Sequence, residues 1–278
     1  MVVFWIRMKQ LFTSFLLVII LTAKAGNDDL PIGARSAGLA NASVTLTDVW
    51  SVHHNQAGLG FLTKAAAGVY YENRFLIPEL GLSAGVVAIP IKKGAFGLSI
   101  RNFGYQLYNE SKIGLGYGRS FGDKLSIGMQ LNFLNVRFAD VYGARNAFTA
   151  EIGAIYKLNS NLTVAAHINN PTRTKLTELD ADRLPTIIRF GMRYQFSKKV
   201  FIAGEAQKDT YNKAQLRFGL EYMPTDIFFL RAGVATNPIN SSFGFGLKLK
   251  KLMLDFAGTF HQVLGFTPQI SLTYQFRD

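Results

Sequence analysis

The stretch 267–276 reads TPQISLTYQF, and its two faces separate cleanly. Ile270, Leu272, Tyr274 and Phe276 share one face, while Gln269, Ser271, Thr273 and Gln275 share the other. Alternation with period two marks a β-strand with one apolar and one polar side. The same reading extends backwards through fourteen segments: 66–75, 80–91, 94–102, 111–121, 124–137, 146–158, 161–169, 185–196, 199–208, 213–223, 226–236, 241–249, 251–261 and 267–276. An even number of such strands, with an apolar face that carries aromatics and almost no charge, predicts an all-β, 14-stranded antiparallel barrel whose apolar wall faces lipid.

The connections support this independently. Tight turns follow the even-numbered strands: Lys92-Lys93-Gly94, Gly122-Asp123, Asn159-Ser160-Asn161, Ser197-Lys198, Pro224-Thr225-Asp226 and Lys250-Lys251. These residue types suit short hairpins. Connections after odd-numbered strands tend to be longer, the longest being 170–184. Short turns on the periplasmic side and longer loops outside place both termini in the periplasm.

On this phasing Phe190, Met192, Phe196, Leu216, Phe218, Tyr222, Phe243 and Phe245 face lipid, and Gln195, Gln215 and Lys248 face the lumen. Gly114, Gly116, Gly128, Gly153, Gly191, Gly219, Gly233, Gly244 and Gly246 also point inward, making room for something packed inside. Opposite charges share that lumen: Glu72, Glu151, Glu205, Glu221 and Asp255 against Arg74, Arg101, Arg189, Arg193, Arg217 and Arg231. Buried charges are usually paired, so a structural ion-pair network is expected, with a polar permeation path as the alternative. A β-sandwich is the soluble alternative for the fold, but it needs no rhythm of short and long loops.

The N-terminus sets the compartment. Arg7 and Lys9 precede an apolar run, Leu11 to Leu21, and Ala23-Lys24-Ala25 supplies small residues for cleavage. This is the pattern of a signal peptide over residues 1–25, too short to span a bilayer as a helix, which needs ~20 apolar residues. Export to the outer membrane of a Gram-negative bacterium follows, with outer-membrane lipids as surroundings. The absence of Cys excludes thiolate metal sites and thiol nucleophiles. The formal charge is +12, and residues 1–25 account for three of those positive charges. The Lys and Arg are scattered singly, without the dense basic footprint of a nucleic-acid binder.

Residues 26–65 form a separate segment before the barrel, 66–278. Its core, GARSAGLANASVTLTDVWSVHHNQAGLGFL (33–62), lacks strand alternation and is rich in Gly and Ala. It is expected to fold as short helices in the lumen, with Arg35 and Asp48 finding wall partners of opposite charge. Gly33-Ala34-Arg35-x-Ala37-Gly38, Thr47-Asp48-x-Trp50-Ser51 and Asn55-Gln56-Ala57-Gly58-Leu59 resemble the N-terminal plug signature of the PorV/PorQ branch of the FadL-type barrels. Gln56 stands where that family usually has Pro. The resemblance implies a plugged barrel that serves protein export of the type IX kind, with secretion-system or other outer-membrane proteins as partners. Its FadL-type alternative is transport of a hydrophobic small molecule.

Nothing in the sequence points to an enzyme or a cofactor. His53 and His54 are adjacent, which seldom lets two side chains share a metal, and no acidic cluster joins them. His261 with Ser241 and Ser242 is the one faint hydrolase grouping, without specific spacing.

Overall fold

The computed structural model describes residues 30–138, 143–176 and 183–276. The expected signal peptide therefore lies outside the described residues. Fourteen antiparallel strands close into one barrel. They are β1 (Ala66–Asn73), β2 (Gly81–Ile91), β3 (Gly94–Gly104), β4 (Tyr108–Phe121), β5 (Leu125–Phe138), β6 (Ala144–Lys157), β7 (Leu162–Asn169), β8 (Ile187–Ser197), β9 (Val200–Asp209), β10 (Gln215–Thr225), β11 (Phe228–Ala235), β12 (Asn240–Leu249), β13 (Leu252–His261) and β14 (Gly265–Gln275). Closure comes from β1 against β14, in the register Ala66↔Gln275 through Glu72↔Gln269. A closed sheet leaves no unpaired edge, which is the condition for spanning hydrocarbon with strands.

The apolar residues of the alternating pattern cover the outside. Leu131 and Phe148 are 71% and 72% exposed, and Phe190, Phe218, Phe243 and Tyr274 are exposed with them. Large exposed apolar side chains occur in this way on every strand but β7, where Val164 and Ile168 are half-buried about exposed Ala166, and they form a belt that a bilayer covers. The partner positions point inward and are buried, among them Arg189, Arg217, Glu221 and Ser271.

Sequence reading starts two strands too late. β4 begins at Tyr108 and β6 at Ala144, whereas alternation places their starts at 111 and 146. There the outward residues are polar and pair with one another. Asn102 Nδ2 donates to Asn109 Oδ1 at 3.1 Å, and Asn135 Nδ2 to Asn146 Oδ1 at 2.7 Å. Inward, Leu134, Val136 and Ala147 are buried with Leu184 from the β7–β8 connection. The pattern thus inverts where the wall rises beyond the apolar belt, and a search for apolar outward faces loses it.

Residues 30–62 lie inside the barrel. Its regular elements are helix α1 (Ala34–Gly38), helix α2 (Ser51–His54) and a 3-10 turn (Gln56–Phe61). Ile32, Leu39, Leu46, Val52 and Leu59 are fully buried there.

Candidate functional site: the plugged lumen

The wall makes room for the segment at its glycines. A Cβ placed on Gly68 of β1 would stand 2.8 Å from the Trp50 ring, and one on Gly97 of β3 would stand 2.7 Å from Val52 Cγ2. The same test gives 2.2 Å to the Gln56 carbonyl carbon at Gly128 and 1.9 Å to Asn55 Oδ1 at Gly153. It gives 2.5 Å to Val44 Cγ1 at Gly191, 2.7 Å to Leu39 Cβ at Gly219 and 2.5 Å to Ala40 N at Gly233. Such separations are shorter than van der Waals contact, so a Cβ added at any of these positions would force the facing residue or the wall to shift. Gly38 fits between Arg231 Cβ and Gly244 Cα, each 3.2 Å from where its own Cβ would be. Gly58 would meet Ser51 Oγ at 2.4 Å. Gly33, at φ +100°, turns the chain against Trp50, whose Nε1 donates to Thr273 Oγ1 at 3.1 Å.

Two charge clusters hold the segment from β9 to β13. Arg35 donates from Nε to Glu221 Oε2 at 2.9 Å and from Nη2 to Glu221 Oε1 at 2.8 Å, a bidentate pair. Arg231 completes the set, its Nε 2.7 Å from Glu221 Oε2 and its Nη1 2.7 Å from Asp255 Oδ1. Arg35 Nη1 reaches Asp48 Oδ2 at 3.0 Å. Asp48 therefore pairs inside the segment and not with the wall, contrary to the sequence expectation. Its Oδ1 accepts from Trp50 N and so shapes the turn into α2. In the second cluster Glu205 Oε2 accepts from the backbone N–H groups of Ser43 and Val44 at 2.8 and 2.9 Å. Arg217 Nη1 lies 3.1 Å from Glu205 Oε1 and donates to Asn41 O at 3.2 Å, and Arg189 is 4.0 Å from the same carboxylate.

The other side of the lumen is organised around Glu151 of β6. Lys112 Nζ lies 2.6 Å from its Oε1, and His167 Nε2 3.1 Å from its Oε2. Asn132 Nδ2 donates to Oε1 at 2.9 Å, and Gln56 Nε2 from the segment donates to Oε2 at 2.8 Å. Gln56 thus brings a side-chain amide donor to this carboxylate. Asn55 donates to Val44 O, Ala154 O and Ala166 O and caps the 3-10 turn through Ala57 N. Ser126 Oγ donates to Ala57 O at 2.6 Å.

The remaining charges named from sequence lie apart. Glu72 pairs with Arg74 and accepts from Tyr70 Oη at the long-connection end of β1. Arg101 is 3.7 Å from Glu110. Arg193 stands over the Phe201 ring, 5.5 Å from its centre, instead of joining a carboxylate. Glu110, Lys112, His167 and Gln56 were not assigned to the network from sequence. The first two share the inward phase of Gly114 and Gly116: Lys112 lies within the strand read from sequence, and starting that strand two residues earlier would have included Glu110. Burial lowers the pKa of His53 and of His54, whose Nε2 is 2.6 Å from Ile32 O. Among the described residues no three His, Asp or Glu side chains gather as metal ligands. His261 Nδ1 accepts from Val263 N and Leu264 N, capping its own turn, while Ser241 faces outward and is exposed.

Above α1 a vestibule of about 970 Å³ opens at the long-connection end, between β1 and β8–β14. Ala37, Ala40 and Asn41 floor it, Arg217, Gln207 and Gln269 line its wall, and Phe75, Tyr211 and Leu264 stand at its mouth. On the opposite side the mouth is filled, because Leu176 and Leu184 pack onto Leu134 and Val136.

No protein-family model matches the chain, and no curated protein matches it. Solved structures do. The CymD monoaromatic hydrocarbon channel superposes with a TM-score of 0.72 at 14% identity, over 91% of this chain and all of that one (100%). The P. putida toluene transporter TodX gives 0.70 at 13% identity, over 90% and 100%. A Pseudomonas aeruginosa FadL homologue gives 0.64 at 16% identity, over 89% and 99%. The barrel shares the fold of these channels and transporters. These neighbours give no support to the PorV/PorQ branch or to secretion partners.

Proposed function

From this FadL-type fold we propose that the protein admits small hydrophobic molecules across the outer membrane, with residues 26–65 as a hatch. The observation that supports the reading is the pairing of a vestibule of about 970 Å³ with a floor made by the chain's own N-terminal segment. That volume is within the range of small-molecule sites, ~300–1,000 Å³. The segment touches the wall through glycines, side-chain hydrogen bonds and the Arg35–Glu221 ion pair, and none of these contacts is part of the strand pairing. Phe75 and Leu264 give the mouth an apolar lip, and Leu76 and Val263 beside them are exposed. CymD and TodX, two of the neighbours in fold, carry monoaromatic compounds by name, which is why the apolar cargo is preferred to protein export. No feature of the described residues favours the export role.

The chain has no Cys, so a single engineered disulfide can lock the hatch. A Cβ at Gly97 would stand 3.3 Å from Val52 Cβ, close to disulfide spacing. In cells carrying Val52→Cys with Gly97→Cys, uptake of labelled toluene should fall to background when oxidised and return on reduction. Equal uptake in both states would end the hatch reading. Uptake no greater than in cells without the protein would end the transport reading.

A further inference from the structure

Four of the six turns on the short-turn rim carry lysines, and these charges follow apolar strand ends. Ile91 precedes Lys92 and Lys93, Phe121 precedes Lys124 by three residues, Phe196 precedes Lys198 and Lys199, and Leu249 precedes Lys250. Each of these apolar residues and each of these lysines is exposed. Asp123 and Asp226 are the only acids of this rim among the described residues. The lumenal ion pairs described above involve none of these lysines. Among the described residues the opposite rim mixes signs, with Glu79 and Asp209 beside Arg173, Lys175, Lys208 and Lys213.

We propose that the short-turn rim is a collar for anionic phospholipid headgroups in the leaflet it faces. The placement carries the assignment. The apolar residue ends the hydrocarbon belt, and the lysine one to three residues on holds its ammonium where headgroup phosphates lie, its stem lying along the apolar edge. The turns β2–β3, β4–β5, β8–β9 and β12–β13 distribute these groups around the circumference. A docked protein would need the charge concentrated on one arc, whereas a lipid annulus meets every arc. The collar acts whatever passes through the lumen.

Spin-labelled lipids test this in vesicles of phosphatidylcholine with phosphatidylglycerol that contain the refolded protein. Labelled phosphatidylglycerol should associate about threefold more strongly than labelled phosphatidylcholine at low salt, and the preference should vanish near 0.5 M salt, where the Debye length is only a few ångströms. Changing Lys92, Lys93, Lys124, Lys198, Lys199 and Lys250 to Gln should remove it, while Lys208→Gln with Lys213→Gln on the opposite rim should not. Faster migration of unheated samples on gels shows that each variant is folded. Should the six-site variant fail to fold, Lys198→Gln with Lys199→Gln should lower the preference measurably. No preference in the unaltered protein, or one that survives these changes, overturns the proposal. So does the absence of preference together with capture of an acidic soluble protein, which would assign the rim to that partner.

Discussion

On the β9–β13 side of the lumen, charge crosses the boundary between segment and wall: Arg35 grips Glu221, and Glu205 grips the Ser43 and Val44 amides. On the β5–β7 side, the Glu151 carboxylate is neutralised within the wall by Lys112, and the segment meets it through the uncharged Gln56. Both sides are buried and both are fitted to glycines. They differ in what separation leaves behind. Withdrawing α1 strands a guanidinium and a carboxylate in a poorly solvated lumen, which costs several kcal/mol, whereas withdrawing the 3-10 turn leaves only neutral groups to be rehydrated. On the proposed hatch reading, the 3-10 turn is the side expected to move first and α1 the fixed end.

The largest expected effect comes from Glu221→Ala. It leaves Arg35 and Arg231 without their shared carboxylate and should cost about 3–5 kcal/mol of segment docking. Trypsin, which cannot reach Arg35 in the unaltered protein, should then cleave after it while the barrel stays heat-modifiable. Continued protection of Arg35 would show that glycine packing alone holds α1 and would erase the contrast between the two sides.

Gly128→Ala probes the other side sterically. The added carbon would sit 2.2 Å from the Gln56 backbone, and backbone cannot swing aside as a flexible side chain can. A cost of about 1–3 kcal/mol is expected, read as faster hydrogen exchange in residues 51–62 with little change in 33–50. Uniform acceleration across both stretches would mean that the segment behaves as one cooperative unit.

How much of this was legible in the chain depends on which interaction placed each residue. Alternation is imposed by lipid on one side and polar lumen on the other, so strands such as β8 and β14 could be read with their facing. Where the wall rises beyond the bilayer, Asn102, Asn109, Asn135 and Asn146 replace the apolar outer row, and the pattern lost its cause. The inward glycines were visible as a class, but not which residue each would touch, because that depends on how an irregular segment threads the lumen. Arg35 could be named as a charge in need of a partner. That its partner is Glu221, and that Asp48 serves the segment itself, is fixed by three-dimensional contact across 186 and 13 residues of sequence. Gln56 was noticed only as a departure from a family pattern, and its contact with Glu151 belongs to the same category.

Gln56→Leu removes one donor from Glu151 while Lys112, His167 and Asn132 remain on it. Because the carboxylate stays largely satisfied, the loss should be near the low end for a hydrogen bond to a charged group, about 1.5 kcal/mol. Exchange should rise at residues 55–58 alone. An effect as large as that of Glu221→Ala would show that the neutral side is as tightly coupled as the charged one.

The smallest effect is that of acid. Burial lowers the pKa of His54 in the docked segment, an effect that the Asp48 and Glu205 charges and the Ile32 carbonyl offset only in part. Burial lowers that of His53 too, with Lys112 and Arg101 adding to the shift and Glu151 opposing it. A group with a lower pKa in the docked state binds protons more readily when released, so docking should weaken as pH falls. The contribution is fully present above the ordinary histidine value of about 6.5 and is lost progressively below it, down to the depressed value of the docked form. Hydrogen exchange of residues 51–62 measured between neutral and mildly acidic pH should therefore quicken on acidification, after correction for the intrinsic pH dependence of exchange. Residues 33–50, which Arg35 and Glu221 hold through groups that keep their charge over that range, should change less. His53→Gln with His54→Gln should flatten the difference. If acid loosened 33–50 first, or if the double variant kept the full response, the contrast between a charged anchor and a neutral, releasable turn would be wrong.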